Sequence, residues 1–107
     1  MNRRKYPRLI GPFKGQWQSA TGMTTPCQIA DISPGGCFLR CRTTPGRRMP
    51  VTVVVTFNDG TAFSIRGNSI HGEWSNGFGV SFHDMTQEQA AEFARLLERL
   101  SLLRKSA

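Results

Sequence analysis

Two short polar patterns near the N-terminus combine side chains that are suited to ligand binding. Arg4 and Arg8 form an R-x-x-x-R pattern, and Asp31, Ser33 and Gly36 form a D-x-S-x-x-G pattern. A carboxylate next to a hydroxyl can accept hydrogen bonds from the ring N–H and the amino group of a purine. Glycine permits close backbone approach or a positive φ. The second pattern therefore predicts a purine-binding surface.

The two patterns differ in specificity. The chain contains 11 Arg, and about one R-x-x-x-R pair is expected by chance in such a composition. Arg95 and Arg99 form a second pair on a predicted helix, where a solvated face explains them. By contrast, roughly 0.05 chance matches are expected for the D-x-S-x-x-G pattern. The D-x-S-x-x-G pattern is therefore the more specific indication of a binding site.

The local sequence around Asp31 predicts how these groups are presented. Asp31 and Ser33 alternate with Ile32, so both polar side chains face the same side of a strand. Pro34, Gly35 and Gly36 then favour a tight turn. An alternative interpretation is a simple β-turn in which the Asp and Ser side chains act only as local caps.

The chain from Phe13 to Phe82 has the pattern of a β domain. Short segments rich in β-branched and aromatic residues alternate with turns containing Gly, Pro and Asn. Ile70 falls out of phase with the residues before it, which predicts a β-bulge at Gly67. Six strands are predicted, at 13–20, 26–33, 36–42, 51–57, 61–72 and 77–83. Six strands of this length favour a small closed barrel without exposed edges.

A helix is predicted after the last strand, over about 86–104. Thr86 and Gln89 form a capping box. Apolar residues follow at helical spacing, from Phe93 to Leu103. We expect this stripe to pack on one mouth or side of the barrel, although part of it is also available for dimerisation.

Length and composition limit the chain to one domain. A chain of 107 residues is long enough for one hydrophobic core. No apolar run is long enough to span a membrane, and the N-terminus lacks the apolar stretch of a secretory signal. Cys27, Cys37 and Cys41 are predicted to be small buried side chains in a reducing compartment, with a metal site or disulfide as the alternative.

The charge is concentrated in the first half of the chain. Residues 1–50 contain nine Lys or Arg and one acidic residue, Asp31, whereas the net charge of the whole chain is +7. This asymmetry indicates an anionic partner, which is a nucleotide, a nucleic acid or an acidic protein surface. Residues 1–12 are predicted to be a flexible basic arm, followed by the folded domain at 13–107.

The order of these features resembles the PilZ domain family. The resemblance rests on the R-x-x-x-R arm, the D-x-S-x-x-G after the second strand, and a late G-x-G-V-x-F strand formed by residues 77–82. It covers nearly the whole chain. The resemblance implies a mostly β fold, a six-stranded antiparallel β-barrel with a C-terminal α-helix. It also implies a bacterial, cytoplasmic, single-domain receptor for the second messenger cyclic di-GMP, with no metal and no other cofactor.

The family resemblance also implies roles for individual residues. The guanidinium groups of Arg4 and Arg8 would bind the phosphates and the acceptor edge of guanine, and Asp31 and Ser33 would contact guanine from the barrel. Gly36 would allow the turn. Arg3, which precedes the first motif arginine, is compatible with an intercalated ligand pair. We expect the arm to become ordered over the ligand and to create a surface for a protein effector, in a monomer or weak homodimer.

Three other functions fit the sequence less well. A small basic barrel that binds nucleic acid fits the net charge, but the chain lacks a strand pair rich in aromatic residues. A PilZ adaptor that binds no nucleotide is disfavoured because the motif residues are present. An enzyme is not predicted, because His71 and His83 have no metal-ligand spacing and no nucleophile motif occurs.

Overall fold

The computed structural model describes residues 8–70 and 76–106. These residues form six strands and one helix, and the strands pair antiparallel into a closed barrel in the order β1-β2-β3-β6-β5-β4. The predicted barrel with a C-terminal helix is therefore confirmed. The elements are β1 (Leu9–Ser19), β2 (Thr24–Ser33), β3 (Gly36–Arg40), β4 (Pro50–Thr56), β5 (Ala62–Ile70), β6 (Gly77–Phe82) and α1 (Gln87–Ser106).

The interior of the barrel is filled by the inward-facing residues of all six strands. Ile29, Leu39, Val53 and Val55 are each 0% exposed. The alternation of β4 follows the predicted period of two, because Val51, Val53 and Val55 all point inward. Since each strand has two hydrogen-bonded neighbours, this part of the chain presents no open sheet edge.

Helix α1 packs on the barrel through the predicted apolar stripe. Phe93, Leu96 and Leu100 are buried, and the ring of Phe93 makes edge contacts with the rings of Phe63 and Phe82. No helix in the described residues is long and apolar enough to cross a membrane.

The predicted capping box at the start of α1 is confirmed. The Thr86 hydroxyl accepts a hydrogen bond from the Gln89 amide at 3.1 Å. The Gln89 side-chain oxygen accepts one from the Thr86 amide at 3.0 Å. The two bonds satisfy backbone donors that have no partner within the helix.

The predicted β-bulge at Gly67 is wrong. β5 pairs with β4 and β6 without a register shift and alternates regularly to its end, so that Ser69 points inward at 0% exposure and Ile70 points outward at 48%. The Ser69 hydroxyl donates to the Gly46 carbonyl oxygen and accepts from the Met49 amide. Because both hydrogen-bonding functions are satisfied, a polar side chain occupies a core position at little cost.

Two of the three cysteines have the buried, packing role that was predicted. Cys27 and Cys37 are buried core residues, and Cys41 is partly buried. Burial raises the pKa of the Cys27 thiol to about 12, and it also raises the pKa values of Cys37 and Cys41. These thiols are therefore protonated at neutral pH and are weak nucleophiles.

Gly36 lies at a close contact between β3 and β6. A β-carbon at this position would collide with the carbonyl oxygen of Val80 on β6, whereas a β-carbon at the neighbouring Gly35 would have no atom within 4 Å. The turn is also tied to β6, because the Phe82 amide donates to the Gly35 carbonyl oxygen at 3.0 Å. The absence of a side chain at Gly36 therefore allows the backbones of β3 and β6 to approach each other closely.

The turn between β4 and β5 is fastened to α1 by a small polar cluster. Arg99 donates to the Asp59 carboxylate at 2.6 Å and to the Thr61 hydroxyl at 2.9 Å, and its guanidinium lies 3.7 Å above the Phe57 ring. The hydroxyl and the amide of Thr61 both donate to Asp59. These hydrogen bonds, followed by Arg99, lower the pKa of Asp59 to about 2 from 3.8.

We predict that this cluster makes stability depend on acid pH. Because the pKa of Asp59 is lower in the folded than in the unfolded state, its contribution is present above about pH 4 and is lost as the pH falls towards about pH 2. Thermal unfolding of wild type and Asp59→Asn should therefore differ at pH 5 and converge in that window. Glu98→Gln, which removes an exposed carboxylate from α1, should not reproduce the convergence. A constant difference between wild type and Asp59→Asn would contradict the assignment.

We also predict unequal effects of alanine at the two adjacent glycines. Gly36→Ala should lower the free energy of unfolding by about 1–3 kcal/mol, because β3 and β6 must separate to accept the methyl group. Gly35→Ala, the matched control, should change it by less than about 0.5 kcal/mol. Denaturant titration monitored by tryptophan fluorescence measures both. Equal midpoints for the two variants would show that the close contact is unimportant.

Candidate functional site

The outward direction of Asp31 and Ser33 depends on a register shift in β2. Ile29 pairs with Leu39 and Asp31 pairs with Phe38, so β2 has one extra residue opposite β3 at this point. As a result, Ile29 and Ile32 are both fully buried although they are three positions apart. Asp31 and Ser33 lie on either side of Ile32 and point away from the core.

Arg8 and Asp31 form an ion pair between the two sequence patterns. The Nη1 group of Arg8 donates to Oδ1 of Asp31, and both side chains are partly exposed. Arg8 immediately precedes β1, whose first residue, Leu9, pairs with Ile32 of β2. The structure therefore brings together two of the predicted site residues that are 23 positions apart in the chain.

Ser33 and Gly36 close the hairpin beside this ion pair. They face each other across the two-residue turn between β2 and β3. The distance from the Ser33 hydroxyl to the Gly36 carbonyl oxygen is 3.5 Å, which is long for a hydrogen bond between oxygens. The hydroxyl is therefore weakly held within the hairpin, which makes it suitable for a stronger bond to a ligand.

Two other predicted site residues, Arg3 and Arg4, lie outside the described residues. Their place in the site stays a prediction from the sequence. The same holds for the predicted arm as a whole up to residue 7. In contrast, residues 9–12 belong to β1, which begins at Leu9 and not at the predicted position 13.

Two apolar residues that the sequence patterns did not predict for the site flank Asp31 across the sheet. Ile10 of β1 and Phe38 of β3 are its register partners on either side. Ile10 is 57% exposed, and Phe38 is partly exposed between two buried neighbours. Their position beside a carboxylate suits contact with the flat face of a base. Their residue types are ordinary for strands, and only the register reveals them.

The predicted site is a patch on the outside of the barrel. It combines a guanidinium group, a carboxylate, a hydroxyl and apolar flanks at the end where β2 meets β3. A groove of about 750 Å³ lies elsewhere, on β4 and β5 beside the start of α1, and its lining includes Arg66, His83 and Glu92 but none of the predicted site residues. The predicted site therefore lies outside this groove.

Metal ions in proteins are bound by clusters of His, Cys, Asp and Glu side chains. Residues 8–70 and 76–106 contain no group of three or more His, Cys, Asp or Glu side chains that could hold a metal ion. His83, one of the two histidines of the chain, lies at the groove on β5. His71 is outside the described residues.

Solved structures with the same fold extend over almost the whole chain. The PilZ domain of YcgR from Escherichia coli, solved with c-di-GMP, has a TM-score of 0.76 and 17% identity over 98% of this chain and 96% of that one. The PilZ domain of CeSA from a cellulose-synthesizing bacterium has a TM-score of 0.72 and 16% identity, over 89% of this chain and 98% of that one. These low identities establish the fold alone.

A third structure, the complex of MrkH with c-di-GMP from K. pneumonia, has a TM-score of 0.68 and 18% identity, over 99% of this chain and 56% of that one. No curated protein matches the chain. The family model of the PilZ domain matches residues 2–99, which include both sequence patterns and the complete barrel. The chain therefore belongs to the PilZ domain family.

Proposed function

We propose that this protein binds cyclic di-GMP on the patch formed by Arg8, Asp31, Ser33 and Gly36, with Arg3 and Arg4 completing the site. The observation that carries the proposal is the pairing of Arg8 with Asp31 on the outside of the barrel. It brings an anion-binding group next to a group that accepts hydrogen bonds from guanine. Relatives of the same fold from E. coli and K. pneumonia were solved with c-di-GMP.

The chemistry of the paired groups matches both parts of the ligand. A guanidinium has five N–H donors, and the bond to Asp31 uses the Nη1 group, so other donors can serve a phosphate or the O6 and N7 atoms of guanine. The carboxylate accepts from the ring N–H and amino group of guanine. Ser33 adds a hydroxyl, and Ile10 and Phe38 contact the face of the base.

The ion pair is weak enough to be rearranged by the ligand. Ion pairs between exposed or half-exposed groups contribute about 0–1 kcal/mol to stability. A charge-assisted hydrogen bond to a ligand contributes about 1.5–3 kcal/mol. Four or five such contacts support micromolar binding, about −8 kcal/mol, after the cost of ordering the arm. The ion pair thus positions both side chains, and it is weak enough for contacts with the ligand to replace it.

We propose that ordering of the N-terminal arm relays the signal to a protein effector. Arg8 is already fixed against Asp31, so only the residues before it must be ordered over the patch when the ligand binds. Ordering of a short segment creates a new surface at the same place. The function is that of a receptor and requires no catalysis.

We predict that two single substitutions strongly weaken binding. Isothermal titration of wild type with cyclic di-GMP should give saturable heats in the micromolar range. Arg8→Ala and Asp31→Ala should each weaken binding by at least about tenfold, because each removes a charge-assisted contact. Arg8→Lys should also lose affinity, since an ammonium lacks the planar fork.

The matched control for this titration is Arg95→Ala, which breaks the chance R-x-x-x-R pair on α1 and should bind as wild type does. Equal heats for wild type, Arg8→Ala and Asp31→Ala would reject the site. The nucleic-acid alternative makes a different prediction: binding to oligonucleotides of any sequence that disappears as salt is raised to a physiological concentration. Cyclic di-GMP binding that persists at that salt would exclude it as the main function.

We predict that residues 2–9 gain hydrogen-exchange protection when cyclic di-GMP is added. The protection follows from closure of the arm over the patch. The turn at 57–61, which lies outside the predicted site, provides an internal reference that should not change. Arg8→Ala should show no protection at either place. Unchanged exchange of residues 2–9 in wild type at saturating ligand would disprove relay by the arm.

A further inference from the structure

The topology of the barrel places several connections at the end opposite the ligand patch. The patch lies where β1 begins, β2 ends and β3 begins. At the other end, residues 20–23 join β1 to β2 and residues 41–49 join β3 to β4. We call the surface formed by residues 20–23 and 40–49 the distal pole.

The distal pole carries a concentration of positive charge. Arg40, Arg42, Arg47 and Arg48 are all exposed. Residues 20–23 and 40–49 contain no Asp or Glu, and neither do the described residues 68–70 and 76 at the same end of the barrel. The positive potential at this end is therefore not offset by acidic side chains among the described residues.

Hydrogen bonds hold the second half of the long connection in a defined conformation. The buried Ser69 of β5 binds it through side chain and backbone: the Arg48 amide donates to the Ser69 carbonyl oxygen at 2.9 Å, and the Ser69 amide donates to the Met49 carbonyl oxygen at 2.8 Å. Its hydroxyl also bonds to Gly46 and Met49. The connection is anchored at its start by the bond from the Cys41 amide to the Asn76 carbonyl oxygen.

Arg48 has an unusual backbone conformation within this anchored segment. Its φ is 52°, in the left-handed region that non-glycine residues rarely adopt. Such a conformation is unfavourable for a residue with a side chain and persists where surrounding bonds impose it. The hydrogen bonds to Ser69 impose it here. Arg48 is thereby presented from a fixed backbone position, which reduces the ordering cost of binding a partner.

Two exposed methionines belong to the connections of the distal pole. Met23 is 72% exposed and Met49 is 45% exposed. Arg and Met are enriched in protein interfaces, where Lys is depleted, and the flexible thioether side chain adapts to irregular apolar surfaces. All cations of the distal pole are Arg, whose planar groups bind carboxylates through paired hydrogen bonds. Phosphate backbones of nucleic acids offer no apolar partner for the methionines.

We propose that the distal pole docks an acidic segment of a partner protein, with carboxylates on Arg42 and Arg48 and apolar side chains on Met23 and Met49. This contact is separate from the surface that ordering of the arm creates at the ligand patch, so the proposal goes beyond the proposed function and does not depend on it. Because the ligand patch and the distal pole lie at opposite ends, the two sites do not overlap and both can be occupied at the same time.

The test uses a fluorescein-labelled peptide of Glu-Glu-Leu repeats, followed by fluorescence anisotropy with the full chain. Wild type should bind saturably, and Arg42→Glu/Arg48→Glu should bind at least about tenfold more weakly. The matched control Lys14→Glu/Arg95→Glu has the same change of net charge on other surfaces and should retain most of the affinity. Met23→Ser should weaken binding several-fold, whereas Leu102→Ser on α1 should not.

Three results would overturn the proposal: equal affinities of the two double variants, tighter binding of a DNA duplex than of the peptide, or tighter binding of phosphatidylglycerol vesicles. If Arg48→Glu disturbs folding, shown by a lower unfolding temperature, Arg40→Glu/Arg42→Glu replaces it in the comparison. Cyclic di-GMP titrations separate this proposal from the previous one. The Arg42→Glu/Arg48→Glu variant should still bind the nucleotide, and Asp31→Ala should still bind the peptide.

Discussion

The register shift between Ile29 and Asp31 determines which face of β2 carries the polar groups of the site. Ile29 and Ile32 both belong to the core, and regular alternation would make this impossible for residues three apart. Because β2 contains one more residue than β3 across this point, the strand reverses its phase. Asp31 and Ser33 then face outward while the core stays filled. The predicted ligand patch therefore depends on a departure of β2 from a regular ladder with β3.

The ion pair between Arg8 and Asp31 connects the N-terminal segment to this patch. It lies at the first residue before β1, so the preceding residues start from a fixed point on the barrel surface. The contribution of such a partly exposed pair to folding is small, and its importance is geometric. It keeps a cation and an anion together at the predicted ligand patch.

The closed barrel separates two surfaces with different chemistry. One end presents the guanidinium, carboxylate and hydroxyl groups of the patch, and the other presents a segment of arginines anchored by a buried serine. Ser69 occupies a core position and bonds to Gly46, Arg48 and Met49. The Ser69 hydroxyl adds bonds to Gly46 and Met49 that a valine or isoleucine at this position could not make. The proposed nucleotide site and the proposed protein site therefore do not overlap.

Features that depend on neighbouring residues in the chain were determined by the sequence alone. The period of two in β4, the capping box of Thr86 and Gln89, and the turn at Pro34 and Gly35 arise from local sterics and local hydrogen bonds. The number of strands, the C-terminal helix and the family resemblance followed from these local patterns.

Only the tertiary structure decided the features that depend on pairing between distant strands. The phase of Asp31, the flanking of Asp31 by Ile10 and Phe38, and the contact of Arg8 with Asp31 follow from register across β1, β2 and β3. The inward position of Ser69, where Ile70 was expected, follows from hydrogen bonds to a segment 20 or more residues away. Periodicity describes one strand at a time. The register between strands is set by packing of the whole core, and it decides which polar side chains meet.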